Sequence, residues 1–197
     1  MSDVILFHHA QGLTPGIHAF ADQLRSAGHR VVVPDLFDGK TFATVEDGVA
    51  HARQIGFETI IARGVAAAEA LPPEAAYVGF SMGAMPAQKL AQTRPGARAA
   101  ILFYACVPMT TFAPAWPTNV AVQIHVQPDD PWLEEDLPGA QELVHTVAAA
   151  GGDAELFIYP GNTHLFADSS SDDYDPESAE LAMHRTLLLL DRLSRPG

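Results

Sequence analysis

A serine set between two glycines, Gly79-Phe80-Ser81-Met82-Gly83, follows the apolar run Ala75-Ala76-Tyr77-Val78 and precedes a helix-forming stretch, Ala84 to Gln92. Between a strand and a helix, this pattern describes a turn sharp enough to hold a hydroxyl outward at its tip. The glycines allow backbone approaches that a side chain would block. A serine hydroxyl is too weakly acidic to attack unaided and needs a base within hydrogen-bond reach. His164, in the turn Pro160-Gly161-Asn162-Thr163-His164, is a candidate base, since imidazole is the side chain that most readily takes and returns a proton at neutral pH. Asp129 and Asp130 are candidate acids to hold its tautomer and stabilise the imidazolium. Pro131 biases Asp130 towards an extended backbone, but spacing does not decide between the two. Developing negative charge would be met by the N–H of Met82, directly after the serine, and by an N–H of the loop His8-His9-Ala10-Gln11-Gly12, for which Ala10 is the candidate.

These groups act together only if the elements between them bring them to one place. Val4-Ile5-Leu6-Phe7 is a continuous apolar run, as expected of a strand buried on both faces. Thr14 can cap a helix with Pro15 in its first turn, and Ile17, Phe20, Ala21 and Leu24 fall on one face of it. Gly28 is placed to end that helix in a left-handed conformation, and Val31-Val32-Val33 follows as a strand. Residues 35–40 read as a loop, Val45 to Gly56 as a short mixed helix, and Phe57 to Leu71 as a helix stopped by Pro72-Pro73. Further strands are expected at 76–80, 99–104, 120–126 and 155–159, with helices through Ala140–Val147 and from Asp175-Pro176 to about Leu193. Strands alternating with helices predict a doubly wound, mostly parallel sheet with helices on both faces. Ligands of such sheets bind beyond the carboxyl ends of the strands. His9-Ala10, Ser81, Asp129-Asp130 and His164 each follow a predicted strand, so all are expected at that edge. Residues 107–119, with Pro108, Pro114 and Pro117, read as a loop whose Phe112 and Trp116 wall a pocket together with His9, Gln11 and Trp132.

The totals narrow the possible partners. A chain of 197 residues, 48% hydrophobic and 18% charged, fits one globular domain spanning 1–197. The net charge of −13 opposes binding to nucleic acid or to anionic membrane surfaces. The single cysteine, Cys106, excludes an internal disulfide and reads as a buried structural thiol. No signal-peptide pattern opens the chain and no stretch is long and apolar enough for a membrane helix, so a cytoplasmic protein is expected. Nine histidines occur without an H-E-x-x-H or a cysteine cluster, and no Gly-rich phosphate loop is present, so neither metal nor cofactor is expected.

On these residues the chain resembles the dienelactone hydrolase family of the α/β-hydrolase fold. The likeness is carried by His9-Ala10-Gln11-Gly12-Leu13, Ala27-Gly28-His29-Arg30-Val31, Val33-Pro34-Asp35-Leu36-Phe37, the serine pentapeptide, Asp130-Pro131, and Tyr159-Pro160-Gly161-Asn162-Thr163-His164-Leu165-Phe166. The resemblance implies a minimal α/β-hydrolase fold, a Ser81, Asp130 and His164 triad, and Ala10 and Met82 as oxyanion donors. It settles the acid on Asp130. The chain also departs from the family's best-known members. They use cysteine where Ser81 stands and carry a glutamate at the position that matches His9. They bind a substrate carboxylate with arginines, one of them at the position of Asp168. A carboxylate there would repel a like-charged substrate, so a small neutral ester or lactone is expected, cleaved through an acyl-enzyme by a monomer or small homo-oligomer. A thioesterase shares every catalytic part, and a binding protein that keeps the fold without chemistry is the rival from another class.

Overall fold

Long apolar runs become the middle of a sheet. The computed structural model describes residues 1–133 and 136–194. The elements run β1 (Asp3–Phe7), α1 (Pro15–Ser26), β2 (Arg30–Val32), α2 (Val45–Ile55), α3 (Phe57–Glu69), β3 (Ala75–Phe80), α4 (Ala84–Thr93), β4 (Ala99–Phe103), β5 (Ala121–Val126), α5 (Asp136–Ala149), β6 (Ala154–Ile158) and α6 (Pro176–Leu193). A 3-10 turn, Ser81–Gly83, joins β3 to α4, and another covers Met109–Thr111. The six strands form one parallel sheet in the order β2-β1-β3-β4-β5-β6. This is the doubly wound fold expected from the alternation of strands and helices. Every residue of β3, β4 and β5 is buried; β3 and β4 accordingly lack a polar alternation, whereas β5 carries the buried polar residues Gln123 and His125 at alternate positions.

The helices divide between the two faces. Ile17, Phe20, Ala21 and Leu24 of α1 pack with Ala182, Leu189 and Leu190 of α6 against Val4, Leu6, Val78 and Ile101. Ala52 of α2, Ile60 of α3, Leu90 of α4 and Val147 of α5 pack on the opposite face with Ile5, Phe7, Tyr77 and Leu102. Thr14 caps α1 by accepting the Ile17 N–H, Thr44 caps α2 and Asp175 caps α6, the first and last with proline at the start of the helix. Gly28 adopts φ 92°, as the end of α1 requires. The chain leaves β1 towards β2 on one side and returns to β3 on the other. The carboxyl ends of β1 and β3 therefore flank the switch point where such sheets bind ligands. Among the described residues no helix is long and apolar enough to cross a membrane.

Two histidines are built into this core as neutral groups. Burial pushes His125 down to about 3, and its ring stacks on Phe103 at 4.6 Å with Nδ1 2.8 Å from the Tyr159 hydroxyl. Burial pushes His8 down to about 4, and its Nε2 accepts the Leu36 N–H at 3.0 Å. Both ordinary values lie near 6.5, so below that pH the unfolded chain takes up protons that the folded one refuses. Stability should therefore fall as the pH drops from about 6.5 to about 4, each histidine adding about 1.4 kcal/mol per pH unit to the slope. Urea denaturation of His125→Phe across that range should show a slope shallower by about that amount, and an unchanged slope would contradict the buried neutral state.

Candidate functional site

The site is assembled from the loops after β1, β3, β5 and β6. Ser81 follows β3 with φ 50°, a left-handed conformation that a serine rarely adopts. Room for it comes from the two glycines. A Cβ on Gly79 would stand 2.4 Å from the Gly83 carbonyl oxygen, and one on Gly83 would stand 2.4 Å from the Phe7 carbonyl oxygen. The backbone of the turn thus lies directly on the end of β1, which brings Met82 and Ala10 to neighbouring loops. The hydroxyl of Ser81 is 2.8 Å from His164 Nε2.

His164 comes from the loop after β6, and Gln127 at the end of β5 holds that loop. Its Oε1 accepts the Thr163 N–H at 2.8 Å and the Thr163 hydroxyl at 3.0 Å. Gly161 approaches the same amide so closely, at φ 134°, that a side chain would collide with it. Asp173 Oδ2 accepts the backbone N–H groups of His164 and Leu165, both at 3.2 Å. His164 Nδ1 is 2.7 Å from Asp130 Oδ2, and Asp130 Oδ1 accepts the Trp132 N–H at 2.8 Å. Since a carboxylate only accepts, Nδ1 carries the proton and Nε2 is left as the acceptor for the Ser81 hydroxyl. Asp130 is 1% exposed and meets the His164 ring, whereas Asp129 is exposed.

A cleft of about 590 Å³ opens over His164. Gln11, Phe42, Val45, Trp132, Asn162 and Leu165 line it, with Ser170 to Asp173 at one side. Trp132 stands at the mouth, 40% exposed, with its ring 5.9 Å from that of His164. The charged residues along the lining, Glu46, Asp172 and Asp173, are all acidic. Among the described residues no cluster of three or more His, Cys, Asp or Glu is arranged to hold a metal ion.

The sequence matches the model of the dienelactone hydrolase family over residues 1–194. The chain belongs to the dienelactone hydrolase family. Membership makes it a carboxylic ester or lactone hydrolase. None of the curated proteins is similar to it in sequence. Solved structures share its fold at low identity. The dienelactone hydrolase-like promiscuous phosphotriesterase P91, from metagenomic libraries, is 18% identical with a TM-score of 0.76 over 98% of this chain and 87% of that one. Esterase PE8 is 18% identical with a TM-score of 0.62, over 95% and 92%. Esterase 2 of Thermogutta terrifontis, phosphonylated by cyclosarin, is 13% identical with a TM-score of 0.69, over 100% and 85%.

Four expectations about the pocket are corrected within this dienelactone hydrolase framework. His9 and Asp168 do not face the cleft. They are 0% and 1% exposed, and His9 Nε2 lies 2.7 Å from Asp168 Oδ2. Asp168 is filled by donors: the Thr14 hydroxyl at 2.5 Å on Oδ2, and the Ser170 N–H at 2.8 Å and hydroxyl at 2.7 Å on Oδ1. Burial alone would raise its carboxyl, but these hydrogen bonds outweigh it and hold the group at about 2. It therefore cannot repel a substrate at contact range; any such repulsion belongs to Glu46, Asp172 and Asp173. Trp116 is 5% exposed and donates its indole N–H to the Val120 carbonyl at 2.8 Å, beside the amino end of β5 and away from Ser81. Phe112 packs near Lys89 of α4, because Gln88 and Gln92 of that helix hold the Val107 and Met109 carbonyls and lead the loop down its side. Phe42, Val45 and Asp173 escaped the sequence reading. A lone phenylalanine between Lys40 and a Thr44 cap was their one available signal.

Gly83→Ala forces a methyl group against the Phe7 carbonyl and should destabilise by about 1–3 kcal/mol while lowering turnover sharply. Gly139→Ala, where a Cβ meets nothing within 4 Å in the body of α5, should leave both intact or raise stability slightly. Thermal melts and ester turnover of the two variants check the contrast.

Proposed function

We propose that the protein is a serine hydrolase of small, uncharged carboxylic esters or lactones, acting through an acyl-enzyme on one domain that spans the chain. The reading rests above all on the continuous hydrogen-bond line from Ser81 Oγ to His164 Nε2 at 2.8 Å and from His164 Nδ1 to Asp130 Oδ2 at 2.7 Å.

Ser81 Oγ attacks the carbonyl carbon while its proton passes to His164 Nε2. Asp130 keeps the imidazole in the tautomer that can accept this proton and stabilises the imidazolium that results. The carbonyl oxygen becomes an oxyanion opposite the N–H groups of Met82 and Ala10. Collapse breaks the ester C–O bond, and the alkoxide leaves with the proton from His164. In the second half, His164 takes a proton from water, the resulting hydroxide attacks the acyl carbon, and Ser81 leaves with that proton as the carboxylic acid departs. In a lactone the alcohol and the acid are parts of one product.

The substrate class follows from the walls. Phe42, Val45, Leu165 and Trp132 offer apolar contact, and the acidic Glu46, Asp172 and Asp173 discourage a substrate that bears a free carboxylate. Phosphonylation of Thermogutta terrifontis esterase 2 is the behaviour of an activated nucleophile on this fold, and it is expected of Ser81 as well.

Ser81→Ala should abolish p-nitrophenyl acetate turnover without lowering the melting temperature, and Asp130→Asn should lower kcat by about 10²–10⁴-fold. A fluorophosphonate probe should label the native protein and not Ser81→Ala. Unchanged turnover in Ser81→Ala would sink the assignment. Monoesters of dicarboxylic acids should be poorer substrates than neutral esters of equal length. Raising the salt concentration should narrow that difference, since screening weakens the acidic rim.

A further inference from the structure

Besides Ser81, two positions at which the chain departs from the best-known members of its family, His9 and Asp168, touch each other, and both lie beside the loops that carry the reacting groups. Asp168 stands four residues after His164, and its N–H bonds the Leu165 carbonyl at 2.9 Å. His9 precedes Ala10, and the peptide that joins them has the His9 carbonyl at one end and the Ala10 N–H at the other.

That carbonyl is held from two directions. It accepts the Gly12 N–H at 3.0 Å and lies 2.7 Å from His8 Nδ1. His8 Nε2 accepts the Leu36 N–H, so Nδ1 carries the proton and donates it to the His9 oxygen. A peptide unit is planar and trans, so fixing its C=O also fixes the opposed direction of its N–H. The His9 ring is fixed in turn. Its Nδ1 accepts the Gln11 N–H at 3.2 Å, which leaves Nε2–H to donate to Asp168. Gly16 leaves room for this carboxylate, since a Cβ there would stand 1.6 Å from Asp168 Oδ1. The Ala10 N–H donates to no group among the described residues, although Ala10 is 1% exposed. A buried donor without a partner, on a peptide held this firmly, is free for a ligand atom.

We infer that His8, His9 and Asp168 are positioning residues that aim the Ala10 N–H at the oxyanion and lock that aim to the loop bearing His164. This goes beyond the proposed reaction and rests on it. The pair does not exchange protons with the substrate. It holds one donor in place before charge develops, which is where a preorganised donor has its effect. Asp168 serves this purpose because a carboxylate accepts from both sides at once. An amide in its place turns an N–H₂ towards either the His9 and Thr14 donors or the Ser170 donors.

The test uses the full chain with p-nitrophenyl acetate. In Asp168→Asn, kcat should fall about 10- to 100-fold, the range for a misaimed donor, with KM within about threefold. Phosphonylation by a fluorophosphonate should slow by a similar factor, since its transition state also places a negative oxygen in the hole. The pH dependence of kcat/KM should keep its shape, because the base and its acid are untouched. His9→Gln, whose amide nitrogen reaches the place of Nε2, should keep at least a third of kcat. His9→Asn, whose amide reaches only the place of Nδ1, should fall like Asp168→Asn and serves in its stead should that variant not fold. Wild-type kcat in folded Asp168→Asn, equal kcat in His9→Gln and His9→Asn, or a shifted pH profile would each overturn the inference. The Ser81→Ala result stands apart from all of these. Inactive Ser81→Ala with fully active Asp168→Asn removes the positioning role alone, whereas active Ser81→Ala removes the reaction beneath it.

Discussion

The contact between the turn after β3 and the end of β1 is the constraint from which the site follows. Backbone lies on backbone there, with the Phe7 and His8 carbonyls where any Cβ of residue 83 would have to be. Ser81 at φ 50° carries a strain of about 1–3 kcal/mol, which persists only where the surroundings leave no alternative. Those surroundings are closely packed. β3 is buried throughout, and the Phe80 ring next to Ser81 stacks on Phe103 at 4.5 Å and 2°. The same contact sets the Met82 and Ala10 loops side by side. A residue larger than glycine at 79 or 83 would separate them, and the hydroxyl would lose both its place and its neighbours.

Two buried His–Asp pairs stand at the same edge of the sheet, each at 2.7 Å. Distance and burial do not tell them apart. The difference lies at the second ring nitrogen, which faces the Ser81 hydroxyl in His164 and takes the Gln11 N–H in His9. One imidazole therefore keeps an acceptor beside the cleft, and the other has spent both nitrogens on structure. The acids differ in the same way. Asp130 serves one ring and one backbone N–H, whereas Asp168 is surrounded by donors from His9, Thr14 and Ser170. Pairing with a carboxylate thus identifies an oriented histidine, and only its free face identifies a base.

This distinction also marks what could be read from the residues alone. Continuous apolar runs gave away β1, β3 and β4, because a strand buried on both faces is apolar along most of its length. Caps such as Thr14-Pro15 and Asp175-Pro176 gave away helix starts, since the side chain that stops the chain and the proline that starts the helix are local features. Ser81, the pair Asp129-Asp130 and His164 were legible as neighbours because the fold rule places the loops after the strands at one edge; the choice of Asp130 came from the family resemblance. Inside the loops the rule has no more to say. Asp168 sits two turns of irregular backbone beyond β6, and nothing local reveals that it folds back beneath His9 and not over the cleft. Trp116 looked like a pocket wall for the same reason: an aromatic in a proline-rich loop packs wherever the loop travels. Here Gln88 and Gln92 send the loop along α4, and the ring ends against Val120.

The acidic character of the chain acquires a local meaning once Asp168 is withdrawn from the cleft. Fixed charge that is buried and satisfied acts on the backbone around it, whereas charge on the rim acts on what enters and leaves. Glu46, Asp172 and Asp173 are of the second kind for a ligand, although Asp173 also grips the backbone of His164. Under the proposed reaction, a neutral ester enters without electrostatic penalty and a carboxylate leaves. The rim lies within about one Debye length, roughly 8–10 Å, of anything held in a cleft of this size, so repulsion of the product is felt there and fades in bulk solvent. Arginines that hold a substrate carboxylate would slow that departure. Where the resemblance implies a substrate-binding arginine, Asp168 is turned inward and held by His9, Thr14 and Ser170, so under the proposed reaction discrimination falls to the rim and to apolar contact with Phe42, Val45, Leu165 and Trp132.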